Sequence, residues 1–404
     1  MDYFCPVATK TRRRPARRPP EGESVDPVLM SLLLLAALAM FANTAADRWW
    51  LLRAGEGSFT YDRPADRLRS LLGIGFGQQR LLYEKGAGWM HVGIFAGFLA
   101  VSLRTVTLIG RGFDTGFHLP LLGGPLGLFY ALLKDTFAVV VLVAVVYGIW
   151  RRLVVRPKRL HLSAEAVLIL LWIGALMATD LLGDAALFRL DPGERERGWA
   201  WASTALTGVF AGRPEGTVAA WGQAMYWSHV VLVLAFLNFL PFGKHFHVLT
   251  ALPAVYLRRL TPSAALARME FEGRETFGVG RIEDFEVRRF LDMFTCTECG
   301  RCNDMCPADL TGKPLHPRSI IVDERDHAYA MADHLVTVGK LKAQGRDTEA
   351  KARIEAHARP ALIGDVNDPE AIWACTTCGW CVSSCPVMID HIPNILDQRR
   401  YLTM

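Results

Sequence analysis

Eight cysteines fall into two copies of one pattern, C-x2-C-x2-C-x3-C-P. The first is Cys296, Cys299, Cys302, Cys306 and Pro307; the second is Cys375, Cys378, Cys381, Cys385 and Pro386. Thiolates at this spacing hold [4Fe–4S] clusters, with the first three on one cube and the fourth on the cube of the other motif. The exchange predicts one cluster on Cys296, Cys299, Cys302 and Cys385, and a second on Cys375, Cys378, Cys381 and Cys306. A disulfide framework would need an oxidising compartment and a small secreted scaffold. Zinc sites use separated cysteine pairs rather than a C-x2-C-x2-C run. Cys5 stands alone in a polar tail and is a bystander.

Ionisable residues inside apolar runs are a second source of chemistry, because a charge at membrane depth is costly and marks a functional site by default. His91 and the pair His245/His247 share one level of the bundle described below. Two imidazoles on facing helices can hold the iron of a single haem b, with His247 as the partner of His91 and His245 in reserve. Histidines at this level can also simply cap helix ends. A different collection shares the opposite level: Arg104, Lys134, Asp135, Asp180 and His229. Its cations and carboxylates balance, which describes either a structural ion-pair network or a quinone site. In the second case His229 donates to a quinone carbonyl and Asp135 or Asp180 relays protons. A second haem on His229 has no partner at that depth, where Val101 and its neighbours are apolar.

The elements that must position these groups come in two parts. The 404 residues are 51% hydrophobic with 21% charged residues and a mean hydropathy of +0.20, a mixture suited to a membrane part joined to a soluble part. Five stretches, 28–50, 89–110, 126–150, 164–187 and 222–248, reach the length of about 20 apolar residues that spans a bilayer. The first resembles a signal peptide only in its apolar core; four spans follow and no small-residue cleavage site is evident. Basic loops after the first and third spans (Arg53, Arg63, Arg67, Arg69, Arg80, Lys85; Arg151, Arg152, Arg156, Lys158, Arg159) put those loops, and the cysteines after the fifth span, in the cytoplasm. The tail, with Lys10, Arg12, Arg13, Arg14, Arg17 and Arg18, runs against that orientation; two loops and the soluble part outweigh it. His229 and His247 then lie roughly 27 Å apart along one helix and cannot share a metal.

The expected architecture is all-α: a basic disordered tail (1–26), a five-helix transmembrane bundle (27–250), an amphipathic linker suited to an anionic leaflet (251–288) and an α-helical dicluster ferredoxin domain (289–404). The insert between Cys306 and Cys375 is too long for a compact bacterial ferredoxin, and 318–344 carries a helical period. Trp380 is placed to shield a cluster from water, and His316, His327, His334 and His357 read as surface residues. Basic residues concentrated in membrane loops give no support to a nucleic-acid role. The Gly-rich 71–80 has no βαβ context and cradles no phosphate.

Several segments carry a resemblance. His91, YWSHVVLVLAFLNFLPFGKHFHVLTALP, RTVTLIGRGF and RRLVVRPKRLHLSAEA resemble the five-helix cytochrome b subunit of respiratory nitrate reductase and of membrane-bound heterodisulfide reductase. KPLHPRSIIVDERDHAY and IWACTTCGWCVSSCPVMIDHIPNILDQRRYLTM resemble the iron–sulfur region of heterodisulfide-reductase-type proteins. The combination is similar to membrane iron–sulfur oxidoreductases that pass electrons from electron-transfer flavoprotein to menaquinone. That resemblance implies an inner-membrane quinone-linked enzyme with two [4Fe–4S] clusters, haem b and menaquinone. It also implies a cytoplasmic donor such as electron-transfer flavoprotein, and a cysteine-rich CCG domain, which a separate subunit would supply after Met404 if the polypeptide is not incomplete. Two alternatives stand beside it: a menaquinol-oxidising, heterodisulfide-reductase-like subunit, and a membrane anchor and electron wire without a substrate site.

Overall fold

A computed structural model of the chain describes residues 26–160, 163–262, 265–266, 268–269, 271–272 and 277–404. The basic tail with Cys5, and part of the linker, lie outside the described residues. The described chain is helical, with no strand and only two isolated bridges. The first part comprises α1 (Pro27–Arg53), α2 (Pro64–Ser70), α3 (Lys85–Arg111), α4 (Pro125–Trp150), α5 (Ala164–Leu190), α6 (Trp201–Leu206), α7 (Glu215–Phe239) and α8 (His247–Tyr256). Helices α1, α3, α4, α5 and α7 are long and apolar enough to cross a membrane.

Local sequence starts these helices. Asp26 caps α1 by accepting from the Leu29 amide at 2.8 Å, Pro125 opens α4, and Ser163 caps α5 through the Ala166 amide. Each choice satisfies or removes an amide that a helix start leaves unpaired. In the bundle α3 packs on α4, α4 on α5, α5 on α7 and α7 on α1. Gly97 lets α3 approach α4: a Cβ there would lie 2.2 Å from Val141, the small-residue contact typical of membrane helices. Polar ties cross the same seams, including Trp172 Nε1 to Leu232 O at 3.1 Å and Asn238 Nδ2 to Ala37 O at 3.1 Å.

The fifth span is not one helix through residue 248. Helix α7 ends at Phe239, the chain turns through Pro241 and Gly243 (φ +56°), and a short 3-10 turn (Gly243–Phe246) leads into α8. Pro241 cannot donate the amide that a continuing helix needs, and the left-handed Gly243 redirects the backbone. The apolar run conceals this break. His229 therefore belongs to α7, whereas His245 lies in the 3-10 turn after it and His247 opens α8.

The second part comprises α9 (Val287–Thr295), α10 (Arg301–Asp304), α11 (Pro307–Leu310), α12 (Pro317–Ala330), α13 (Ala332–Ala343), α14 (Asp347–Ala356), α15 (Pro369–Ala374), α16 (Trp380–Ser384) and α17 (His391–Thr403). It is seated on one end of the bundle. The Glu56 amide donates to Phe285 O at 2.8 Å and Val287 N to Glu56 O at 2.9 Å. Arg301 donates to Arg80 O and Leu81 O, and Arg318 to Arg159 O. Gly339 of α13 lies against Trp50 O so closely that a Cβ would come within 2.1 Å. The basic loops after the first and third spans are thus the seat of the cysteine-bearing part. The linker begins inside α8 and ends in a 3-10 turn (Ile282–Asp284) and the start of α9; just after α8, Arg258 donates to Ser70 Oγ and Arg259 pairs with Asp390 at 2.6 Å.

One sequence expectation fails here. His327 and His334 are buried at 9% and 3% exposure; His334 sits 2.8 Å from Glu283 and stacks on His357 with centroids 4.0 Å apart. Trp380 is 53% exposed. The helix period of 318–344 does not reveal that α13 is clamped between α1 and the rest of the domain, which turns a polar face inward.

Glu324, fully buried on α12, accepts from Asn367, Asn394 and Gln398 at 3.2, 2.7 and 2.8 Å. Burial pushes its carboxyl up to about 8, although the three amides favour the anion. The group therefore folds as the acid. Its contribution to stability is complete below the unfolded value of 4.5 and drains away as pH rises through the folded one. Glu324→Gln is expected to flatten this alkaline loss, on the order of a few kcal/mol, in thermal melts taken from about pH 5 to about pH 9.

Candidate electron-transfer site

The two cysteine loops fold alike. Glu298 and Thr377 both take φ +54°, and Gly300 and Gly379 follow at +72° and +78°, each opening a short helix, α10 or α16. The left-handed residues wrap the backbone around the sulfurs, and the two helices pack together. Cys296 and Cys385 share one apolar cluster with Phe294 and Ile389. Cys306 shares another with Ile320, Ile372 and Ile395, against which Cys375 packs. Cys385 also feels the charges of Cys299 and Cys296, and Cys381 those of Cys375, Cys306 and Cys378. The fourth cysteine of each motif thus lies with the first three of the other.

All eight thiols are free of disulfides. Burial pushes Cys296 and Cys385 up to about 12, so iron must displace the protons before these sulfurs act as thiolates. Backbone amides are already aimed at them: Thr377 N at Cys375 Sγ and Ile389 N at Cys385 Sγ, both at 3.4 Å. Such bonds are among the levers that set a cluster's potential. Cys378 is exposed, whereas Cys296, Cys302, Cys306, Cys381 and Cys385 are buried, so the second motif opens towards solvent.

The first motif faces the bundle. Phe246, next to His247, is in the apolar cluster of Cys296 and Cys385, and its ring lies 5.8 Å from Phe294. Glu298 reaches Lys244 at 3.6 Å and Arg325 at 3.0 Å. Burial opposes its ionisation, but these two cations hold the carboxyl below its usual range. Sequence reasoning missed Phe246, Phe294, Glu298 and Lys244, since no local pattern marks a contact between distant segments.

Just behind this contact His91 and His247 face each other with ring centroids 6.4 Å apart. A metal bonded to two imidazole nitrogens at about 2 Å each sets the centroids roughly 6 Å apart, so the pair has a spacing that would let both imidazoles hold one metal ion. His247 Nδ1 lies 2.6 Å from Lys244 O, which fixes the proton there and leaves Nε2 with its lone pair. His91 Nδ1 is buried with no hydrogen-bond partner among the described residues. Burial also pushes His247 below its ordinary value, favouring the neutral, ligating form. His245 packs elsewhere: its ring lies against Phe239 with centroids 5.5 Å apart, and its Nδ1 is 2.9 Å from Glu165. A haem iron therefore fits His91 and His247 rather than His245.

At the far level the structure joins Arg104, Lys134 and Asp180 with a residue the sequence reading omitted, Asp184. Arg104 Nε meets Asp180 at 3.0 Å and its Nη2 meets Asp184; Lys134 Nζ meets Asp180 and Asp184 at 2.9 and 2.7 Å. Asp135 is the lesser partner of the ring: it lies 3.9 Å from Lys134 Nζ and turns chiefly to the start of α6, accepting from Ser203 N at 3.2 Å and Ser203 Oγ at 2.5 Å. Asp184 was legible in principle, one helical turn beyond Asp180. His229 lies between α5 and α7, with Nδ1 3.1 Å from both Thr179 Oγ1 and Leu176 O and Nε2 buried without a partner among the described residues. An open cleft beside the ring is lined by Arg104, Arg111, His118, Tyr130, Lys134 and Glu196; His229 does not line it.

A five-span helical bundle carrying two interleaved sets of four cysteines defines a membrane iron–sulfur electron-transfer protein with a dicluster domain. Residues 295–389 match the 4Fe-4S dicluster domain family. Two of the relatives it matches are named as oxidoreductases and one as a ferredoxin. It is 32% identical to the "Probable iron-sulfur-binding oxidoreductase FadF" of Bacillus subtilis, over 95% of this chain and 56% of that protein. It is 31% identical to the "EtfAB:quinone oxidoreductase" of Syntrophomonas wolfei, over 93% of this chain and 54% of the relative. A "Probable membrane-anchored ferredoxin" of Chromohalobacter salexigens is 35% identical over 31% of this chain and 19% of its own length. The chain thus spans about half the length of the first two. No solved structure matches it.

Proposed function

We propose that the chain carries single electrons from a soluble donor such as electron-transfer flavoprotein, through two [4Fe–4S] clusters and one haem b, to menaquinone in the inner membrane of a prokaryote. The carrying observation is the junction where Phe246 and Phe294 join the Cys296/Cys385 set to the His91/His247 pair. The haem, when bound, would accept electrons one at a time and release them towards the quinone. The chain's own residues orient and insulate: Lys244 O fixes the His247 tautomer, Glu298 and Lys244 clasp domain to bundle, and the apolar packing excludes water. The cytoplasmic orientation rests on the basic loops, which bear the cysteine domain.

Menaquinone is assigned to the far level, where the cleft beside Arg104 and Lys134 offers cationic donors; His229, outside that cleft, would act from the α5–α7 seam, where its Nε2 is buried without a partner among the described residues. The sequence-named group His229, Asp180, Asp135, Arg104 and Lys134 thus divides: Arg104 and Lys134 face the cleft, Asp180 neutralises them, Asp135 is a helix cap, and His229 approaches from the α5–α7 seam. A CCG-domain subunit and a menaquinol-oxidising direction are compatible with the same arrangement. One observation favours the electron-wire reading: the four charges of the ring satisfy one another, leaving no carboxylate there free to relay protons.

His91→Ala is expected to abolish the haem b signal in a dithionite-reduced minus oxidised spectrum while iron and sulfide remain at wild-type levels. His245→Ala is expected to keep the haem. A haem retained in His91→Ala, or absent from wild-type protein, overturns the assignment. For the quinone, His229→Ala is expected to lower menaquinone-analogue reduction with haem and clusters intact; unchanged turnover favours the wire.

A further inference from the structure

Beside the seam between bundle and cluster domain lies a group of arginines with too few acids. Arg63 pairs with Asp66 at 2.7 Å and Arg67 with Asp62, both on the rim of α2. Arg80 and Arg258 end on neutral oxygens: Arg80 donates to the carbonyls of Val382 and Ser383, and Arg258 to Ser70 Oγ at 3.1 and 3.0 Å and to Arg259 O at 3.3 Å. Arg258 feels the charges of Arg80, Arg67 and Arg63, opposed by Asp66 alone. A guanidinium has five N–H donors, so donors remain on both Arg80 and Arg258. An open cleft lies here, lined by Arg258, Arg259, Thr261, Val382, Met388 and Asp390; Arg259 and Asp390 neutralise each other.

The segment carrying Arg67 bears a second, independent feature. Leu68, Leu72 and Phe76 are exposed at 50%, 56% and 45%. They recur every fourth residue along the helical run 64–76, which makes one apolar stripe. A short helix with arginines on one side and an exposed apolar stripe on the other lies at a membrane surface, with its apolar face among acyl chains. Arginine is also the residue that matches phosphate geometry with paired donors.

We infer that this corner is a binding site for an anionic phospholipid, with the headgroup phosphate over Arg258 and Arg80 and the acyl chains along Leu68, Leu72 and Phe76. The occupant is tied to the motif that holds Cys381 and Cys385, because the carbonyls under Arg80 belong to the residues between them. A bound lipid would staple the second cysteine motif to the bundle. The inference does not depend on the identity of donor, haem or quinone.

The test uses the full chain with its clusters, in nanodiscs of phosphatidylcholine alone or with phosphatidylglycerol, and native mass spectrometry of the lipids retained on release. Wild type is expected to keep phosphatidylglycerol selectively. Arg80→Gln/Arg258→Gln should weaken that retention roughly thirtyfold, at the usual electrostatic contribution of a juxtamembrane arginine. Arg258→Gln alone, which spares the bonds of Arg80 to the cysteine motif, should weaken it roughly fivefold with iron and sulfide unchanged. The control Arg213→Gln, exposed before α7, should leave it intact. Leu68→Ser/Leu72→Ser/Phe76→Ser should lose the lipid. Equal retention of both lipids by wild type overturns the site, as does retention unaffected in Arg258→Gln. Displacement of the bound species by inorganic phosphate, with the serine variant still binding, would make the ligand a free phosphate and overturn the lipid assignment.

Discussion

Cys385→Ala is expected to cost the protein the cluster of Cys296, Cys299 and Cys302 and to spare the cluster of its own motif. Cys385 shares its apolar surroundings with Cys296, and the thiols it feels most are Cys299 and Cys296. Three thiolates cannot complete a four-cysteine cube, so iron and sulfide should fall by about half. Cys306→Ala should be the mirror image, removing the cluster of Cys375, Cys378 and Cys381. The two losses differ in consequence. The Cys296 set adjoins Phe246 and His247, so Cys385→Ala should interrupt reduction of the bundle by a soluble donor. The set with exposed Cys378 faces solvent, so Cys306→Ala should impair acceptance from the donor first. Paramagnetic resonance of the reduced variants distinguishes the clusters. If each variant instead emptied its own motif, the interleaved arrangement would be wrong.

Legibility followed the range of the interactions. The cysteine ligands could be named because their spacing is local and the iron chemistry dictates it; the five spans could be named because lipid demands long apolar helices. The histidines at 91 and 247 stood out as titratable groups in apolar surroundings. What escaped depends on chain reversals and on contacts between distant segments. The turn at Pro241 and Gly243 hides inside an apolar run, so one helix was expected where two elements stand. Asp135 and Asp184 traded places because sequence adjacency says little about direction on a helix, where neighbours diverge and residues four apart coincide. His334 lost its surface role to the docking of α13 on α1, which no period in its own sequence records.

The ring of Arg104, Lys134, Asp180 and Asp184 carries the largest expected effect on stability. Each carboxylate accepts from both cations, and all four residues are at most 7% exposed. Removing one cation strands a buried negative charge, and breaking such a pair costs about 3–5 kcal/mol. Arg104→Leu is therefore expected to lower the melting temperature of detergent-purified protein sharply. Arg104→Leu/Asp184→Leu, which removes one charge of each sign, should recover most of the loss. The same pair of variants separates structure from chemistry. If the double variant folds with haem and clusters in place but no longer reduces a menaquinone analogue, the cationic face of the cleft is needed by the quinone. If turnover survives with stability, the ring is a structural clasp and the quinone binds elsewhere. A double variant as unstable as Arg104→Leu would show that Lys134 and Asp180 cannot close the site alone.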